Sequence, residues 1–227
     1  MPRLQPGYRL GPAVSPSDTR RIISFSSANY VSVGLWTLPT WLLPLIVLNL
    51  LGQEANGFLF INWAIASLLF SIPTRTSQSL FSEGSNREQL LARDTKRSFW
   101  LVITLLTPGV AFVLLLADKL LLIFGREYSA EGTQLLRLVA ISAIPVAINS
   151  IYLGVIRVRM ELRNVILVPF VVAALTFSLS YILIAIIGLS GAGVSWLSAN
   201  SLAALLTLPR VIGTVRKKES AAPSFAT

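Results

Sequence analysis

The chain has no cysteine and no histidine among its 227 residues. Disulfides, Cys/His metal sites, thiol nucleophiles and any catalytic triad built on histidine are therefore excluded within it. No metal or other cofactor is implied. Acid is scarce as well, ten Asp and Glu against nineteen Lys and Arg, and charged residues make up only 13% of the chain. None of these carboxylates lies deep in an apolar run, since Asp118 is near the end of one and Glu54, Glu83 and Glu161 fall in connections. Neither a carboxylate site for protons or sodium nor the acid, base and nucleophile of a membrane-embedded hydrolase is evident. An apolar leader is also missing: Met1 to Thr19 is polar and rich in proline. The first helix is thus expected to serve as the insertion signal.

What the chain has in abundance is long apolar sequence. Six runs, approximately Ala28 to Leu51, Phe58 to Leu80, Phe99 to Phe124, Leu135 to Val155, Val165 to Ile187 and Ala192 to Ile212, leave room for little else. Each is long enough to cross a hydrocarbon layer of about 30 Å as a helix rising about 1.5 Å per residue. Inside lipid the backbone must satisfy its own hydrogen bonds, which favours helices over an open sheet. A β-barrel would show shorter segments of alternating polarity. The expectation is an all-α, polytopic transmembrane bundle of six spans.

Charge fixes its orientation. Sixteen of the nineteen Lys and Arg fall at alternate gaps. Arg3, Arg9, Arg20 and Arg21 precede the first run. Arg75, Arg87, Arg93, Lys96 and Arg97 lie at or after the end of the second. Arg157, Arg159 and Arg163 follow the fourth, and Arg210, Arg216, Lys217 and Lys218 close the last. The opposite gaps hold Lys119 and Arg126 beside Glu54, Asp118, Glu127 and Glu131. Short basic loops stay in the cytoplasm, so both termini are expected there, in a plasma-membrane protein. The net charge of +9 then reports topology, and no nucleic-acid partner is expected.

Three regions follow. Residues 1–24 read as a cytoplasmic arm, in which Ser17 or Asp18 caps a short helix at the lipid surface. Residues 25–213 form the six-helix lobe, and 214–227 a basic, disordered tail. Gly125 stands where the third helix stops, and Ser129 where the fourth starts. Gly188 to Gly191 makes a turn tight enough for the last two helices to pair as an antiparallel hairpin. Pro39, Pro44, Pro73, Pro108, Pro145 and Pro169 lie within or near five of the spans, each favouring a kink.

Ionisable groups within a membrane cost at least about 2.5 to 3.5 kcal/mol, which makes them functional candidates. Arg75 near the cytoplasmic end of the second span and Arg137 one turn inside the fourth suit bidentate contact with phosphate. Snorkelling to the nearest interface is the alternative for both. Asn29, Tyr30, Asn62, Asn149 and Asn200, with Trp36, Trp63 and Tyr152, offer amide, phenol and aromatic contacts suited to a sugar. Asn149 and Tyr152 share a helix face. The same residues also serve as glue between helices or as an interfacial belt.

Three stretches carry a family likeness. Ser71 to Asn86, SIPTRTSQSLFSEGSN, resembles the helix end and loop after the eighth helix of polysaccharide-biosynthesis and lipopolysaccharide O-antigen flippases. Phe124 to Leu138, FGREYSAEGTQLLRL, resembles the external turn before their tenth helix, and Gly188 to Trp196, GLSGAGVSW, the turn into their twelfth. These flippases belong with the multidrug and toxin extrusion (MATE) transporters in one superfamily of multidrug, oligosaccharidyl-lipid and polysaccharide exporters. The likeness extends over most of Ile22 to Ile212 and corresponds to the second of two six-helix lobes. It implies one wall of a central cavity, a second lobe supplied by another copy or another chain, and a lipid-linked oligosaccharide as substrate. A truncated reading frame or a remnant would give the same pattern. Two other functions fit the residues: export of small amphipathic compounds on the same fold, and a non-transporting accessory subunit.

Overall fold

A computed structural model describes residues 16–86 and 91–216. Six helices follow one another, α1 (Pro16–Leu51), α2 (Gln53–Asn86), α3 (Leu91–Leu122), α4 (Arg126–Val158), α5 (Leu162–Ile187) and α6 (Ser190–Arg216). There is no strand among the described residues. Each helix contains a window long and apolar enough to cross a membrane. All but α5 extend appreciably beyond their apolar runs, because nothing in the polar flanks breaks a helix. At the end of α2, the Ser79 hydroxyl donates to Glu83 Oε1 at 2.9 Å, one turn along.

The structure differs from expectation at the first helix. The short surface helix read near Ser17 is the opening of α1, which runs without interruption from Pro16 into the membrane. Proline suits a first helical position, and no proline or glycine follows it until Gly34. The remainder of the arm and nearly all of the basic tail lie outside the described residues. None of the six anticipated prolines ends its helix, and Pro209 in α6 is a seventh. In lipid a helix has no water to break toward, so the chain continues through a missing bond.

The turns are tight. Gly125 at φ 139° gives way at once to α4, whose first residue is Arg126. Ser129, expected to start α4, donates instead to the Asp118 carbonyl at 2.9 Å and ties the turn to α3. Gly188 at φ 64° starts the α5–α6 connection, and α6 begins at Ser190. A Cβ on Gly191 would run into the backbone of Leu183 and Ile184, so only glycine lets α6 begin against α5.

The helices sit around α4. Its most apolar window is 83% buried, compared with 56% for α6 and 22 to 28% for the others. It packs against α2 and α3 on one side and α6 on the other, while α6 continues to α5 and α5 to α1. The order across the lobe is therefore α1, α5, α6, α4, α2, with α3 behind α4 and α2. Although α1 and α2 are joined by a single glycine, they touch only sparsely. The outer surface displays side chains such as Leu68, Phe112, Leu115, Ile186 and Leu206, all more than half exposed. Water does not tolerate such a surface and hydrocarbon does, which makes the chain a multi-pass membrane protein.

Candidate functional site

The residues singled out from sequence do not converge. Arg75 and Arg137 are both exposed, Arg75 three turns before the C-terminal end of α2 and Arg137 three turns after the start of α4, deeper than the single turn expected of it. Tyr30 points outward from α1, and the adjacent Asn29 is partly buried with no partner for Oδ1 among the described residues. Asn62 is fully buried, donating to the Phe58 carbonyl at 2.7 Å. Gly132 of α4 packs over it so closely that a Cβ there would stand 2.6 Å from Asn62 Nδ2.

Only Asn149 and Asn200 meet. Asn149 Nδ2 donates to the Asn200 carbonyl at 3.0 Å and to its Oδ1 at 3.4 Å. Thr207 donates to Asn149 Oδ1 at 3.0 Å, and Asn200 Nδ2 to the Trp196 carbonyl at 3.0 Å. Both asparagines are fully buried. One turn farther along α4, Tyr152 also faces α6 and accepts from Arg210 Nη1 at 2.8 Å. The spacings of Asn149 with Tyr152, and of Asn200 with Thr207 and Arg210, place these groups along one seam. Its small neighbours, Ala199, Ala203 and Ala204, allow close approach. These amides therefore join helices, and Asn62, Asn149 and Asn200 line none of the cavities described here.

A groove of about 200 Å³ lies between α1, α2 and α4. Val33, Trp36 and Thr37 come from α1, Thr74, Ser77 and Gln78 from α2, and Ser150, Leu153 and Arg157 from α4. Its floor is a close crossing of α2 and α4, where Ser77 donates to the Ser150 carbonyl at 2.6 Å. A Cβ on Gly154 would meet Ser77 Oγ at 3.0 Å. Thr37 and Thr74 donate to carbonyls of their own helices, leaving hydroxyl lone pairs toward the groove. Arg157 is partly buried, and its Nε is enclosed with no hydrogen-bond partner among the described residues. No acidic side chain lines the groove among the described residues. Toward Gly52 the same α1–α2 seam turns apolar, in a recess of about 220 Å³ bounded by residues including Leu43, Pro44, Leu59, Phe60 and Trp63.

Sequence reasoning used Arg157 only as a marker of topology. The clue to more was its spacing: Ser150, Gly154 and Arg157 fall on one helix face, two small residues below one long cation. Such a face admits a neighbouring helix closely at its small residues and leaves the guanidinium beside the crossing.

No family model and no curated protein matches the sequence. Solved structures do match. One is an outward-facing conformation of a multidrug resistance MATE family transporter of the MOP superfamily, with a TM-score of 0.72 at 18% identity over 91% of this chain. Another is a MOP superfamily transporter from Pyrococcus furiosus Vc1, with a TM-score of 0.70 at 17% identity over 91% of this chain. The matches take up 49% and 48% of those proteins, so the chain spans about half their length. It has the fold of one six-helix half of a transporter of that superfamily.

Proposed function

We propose that this chain is one lobe of a plasma-membrane transporter, with both termini cytoplasmic and a second six-helix lobe supplied by another copy or another chain. The complete transporter flips a polyprenyl-diphosphate-linked sugar or oligosaccharide during cell-surface polysaccharide synthesis. The observation that carries this reading is the Arg157 groove, a partly buried arginine whose enclosed Nε has no partner among the described residues, flanked by hydroxyl and amide side chains and by Trp36. A guanidinium so placed favours a diphosphate, while Gln78, Thr37 and Trp36 offer the contacts a sugar needs. The apolar recess along the same seam would face the lipid tail. Of the residues chosen from sequence, Arg75 and Asn29 lie on the two helices that border the groove and remain candidates at its rim. Arg137, three turns into α4, is proposed to snorkel toward the interface at the start of that helix.

Export of small amphipathic compounds is the second reading, favoured by the match to a transporter described as a multidrug resistance protein. A cationic cargo would call for a carboxylate in the groove, and none lines it among the described residues. To test the first reading, the gene is deleted in its native cell and lipid-linked oligosaccharide on the cytoplasmic leaflet is measured beside surface glycan. Accumulation that wild-type protein relieves and Arg157→Gln does not, at equal membrane abundance, is the expected result. Unchanged lipid-linked pools in the deletion strain would remove the flippase reading.

A further inference from the structure

The largest of the described cavities lies on the other side of α4, outside the Arg157 groove. It measures about 390 Å³ and is bounded by α4, the α4–α5 turn, the start of α5 and the end of α6. Tyr152, Arg159, Glu161, Asn164, Arg210 and Thr214 supply its polar lining. The volume is within the range of roughly 300 to 1,000 Å³ usual for small-ligand sites.

Arg210 is exposed, yet its Nη1 is fixed to the phenol of Tyr152, which is only 2% exposed. A buried neutral group thus orients the guanidinium without consuming its charge, and the other N–H donors remain for an acceptor. Glu161, the one carboxylate in the lining, accepts from Asn164 Nδ2 at 2.7 Å. The lining thus holds two guanidiniums against one carboxylate, whose charge also acts on Arg210, leaving a net positive site. Met160 at φ 52° turns the chain between α4 and α5, with Arg159 exposed just before it. Gly213 adds no side chain, and open space lies where its Cβ would stand. The cavity opens at the end of the bundle where the basic residues collect, the level at which a membrane presents its headgroups.

We propose that this cavity binds a phosphate group, held in bidentate fashion by Arg210 with Arg159 as second contact and Tyr152 as the positioning residue. A phosphate here arrives either on an anionic phospholipid or on a soluble molecule, and the chemistry of recognition is common to both. The site is independent of the Arg157 groove, which opens toward α1 and α2, so either proposal stands if the other fails.

Thermal unfolding of the full chain in neutral detergent separates the outcomes. Phosphatidylglycerol is expected to raise Tm by about 4 °C over phosphatidylcholine at near-saturating lipid. Arg159→Gln with Arg210→Gln should lose most of that rise, while a charge-matched control, Arg20→Gln with Arg93→Gln, keeps it. Inorganic phosphate at matched ionic strength that reproduces the rise in phosphatidylcholine assigns the site to a soluble phosphate; no such effect assigns it to the lipid. Equal losses in the two double variants would mean diffuse charge attraction and overturn the proposal, as would no rise with either probe. If the double variant does not fold, Tyr152→Phe serves, since freeing Arg210 should roughly halve the rise; an undiminished rise rejects the site.

Discussion

The seam between α4 and α6 and the seam between α1 and α2 both bring polar groups into a membrane protein, with opposite results. Between α4 and α6 the buried polar groups bond to one another: Asn149, Asn200 and Thr207 interlock in full burial, and only at the exposed end does Tyr152 orient an Arg210 with donors to spare. Between α1 and α2 contact is sparse, and the hydroxyls bond to their own helices or, at Ser77, to α4. There Arg157 is left with an unmatched donor beside a groove. Hydrogen bonds made across a seam fix two helices in one register, whereas hydrogen bonds returned to the parent helix leave the seam free to receive something else. The closed half of the lobe is α4, α5 and α6 short of the Arg210 end, where the phosphate site lies, and the receptive face is α1 with α2.

The harshest way to break this contrast is at the start of the closed half. Gly191→Ile sets a branched side chain against the backbone of Leu183 and Ile184. It should cost about 3 kcal/mol or more and abolish a monodisperse peak in size-exclusion chromatography. Gly34→Ile in α1, where a Cβ meets nothing, should leave the peak in place.

Milder damage comes from Asn149→Leu, which strands Thr207 and Asn200 together. A loss of about 1 to 2 kcal/mol is expected in denaturant titrations of the folded lobe. An unchanged midpoint would show that the seam is held by its alanines alone.

On the receptive face the effect moves from stability to transport. Arg157→Gln removes an enclosed, unmatched donor, so stability should change by less than about 0.5 kcal/mol, while flipping falls by on the order of tenfold or more. Equal stability loss for Arg157→Gln and Asn149→Leu would erase the distinction between the seams.

The gentlest test exploits the absence of cysteine, since any introduced thiol is the only one. Cysteine at Gln78 should react readily with a water-soluble maleimide, and cysteine at Asn200 should not react until the protein unfolds. Comparable rates would mean that the α4–α6 seam opens on the labelling timescale.

Much of the fold was legible because apolar length acts on whole segments. The six runs became six helices, and Gly125 and Gly188 end up at turns, since those signals are local. Helix ends were less legible: Glu83 and its neighbours after Leu80 look like a connection in composition but extend α2, because polarity alone does not stop a helix. The partners of polar residues were not legible at all. Asn149 and Tyr152 were expected to share a face, yet nothing in the sequence says that α6, synthesised some 50 residues later, supplies Asn200 and Arg210 to it. Arg75 and Arg137 drew attention through their depth in the runs, and the structure leaves both on the outside. Arg157 went unnoticed for the complementary reason that a cation at the end of a span is what topology requires anyway.

The order in which helices find their neighbours also has a consequence for biosynthesis. α4 packs on α2 and α3, both made before it, so it can dock as it leaves the insertion machinery. α1 packs mainly on α5, which begins only at Leu162. While α2, α3 and α4 are made, α1 therefore has no strong partner within this lobe and rests in lipid. Its mean hydropathy of 1.8 and its free outer surface suit it to that wait. The lobe closes when its newest helices return to its oldest, which makes α5 the clasp of the nascent chain.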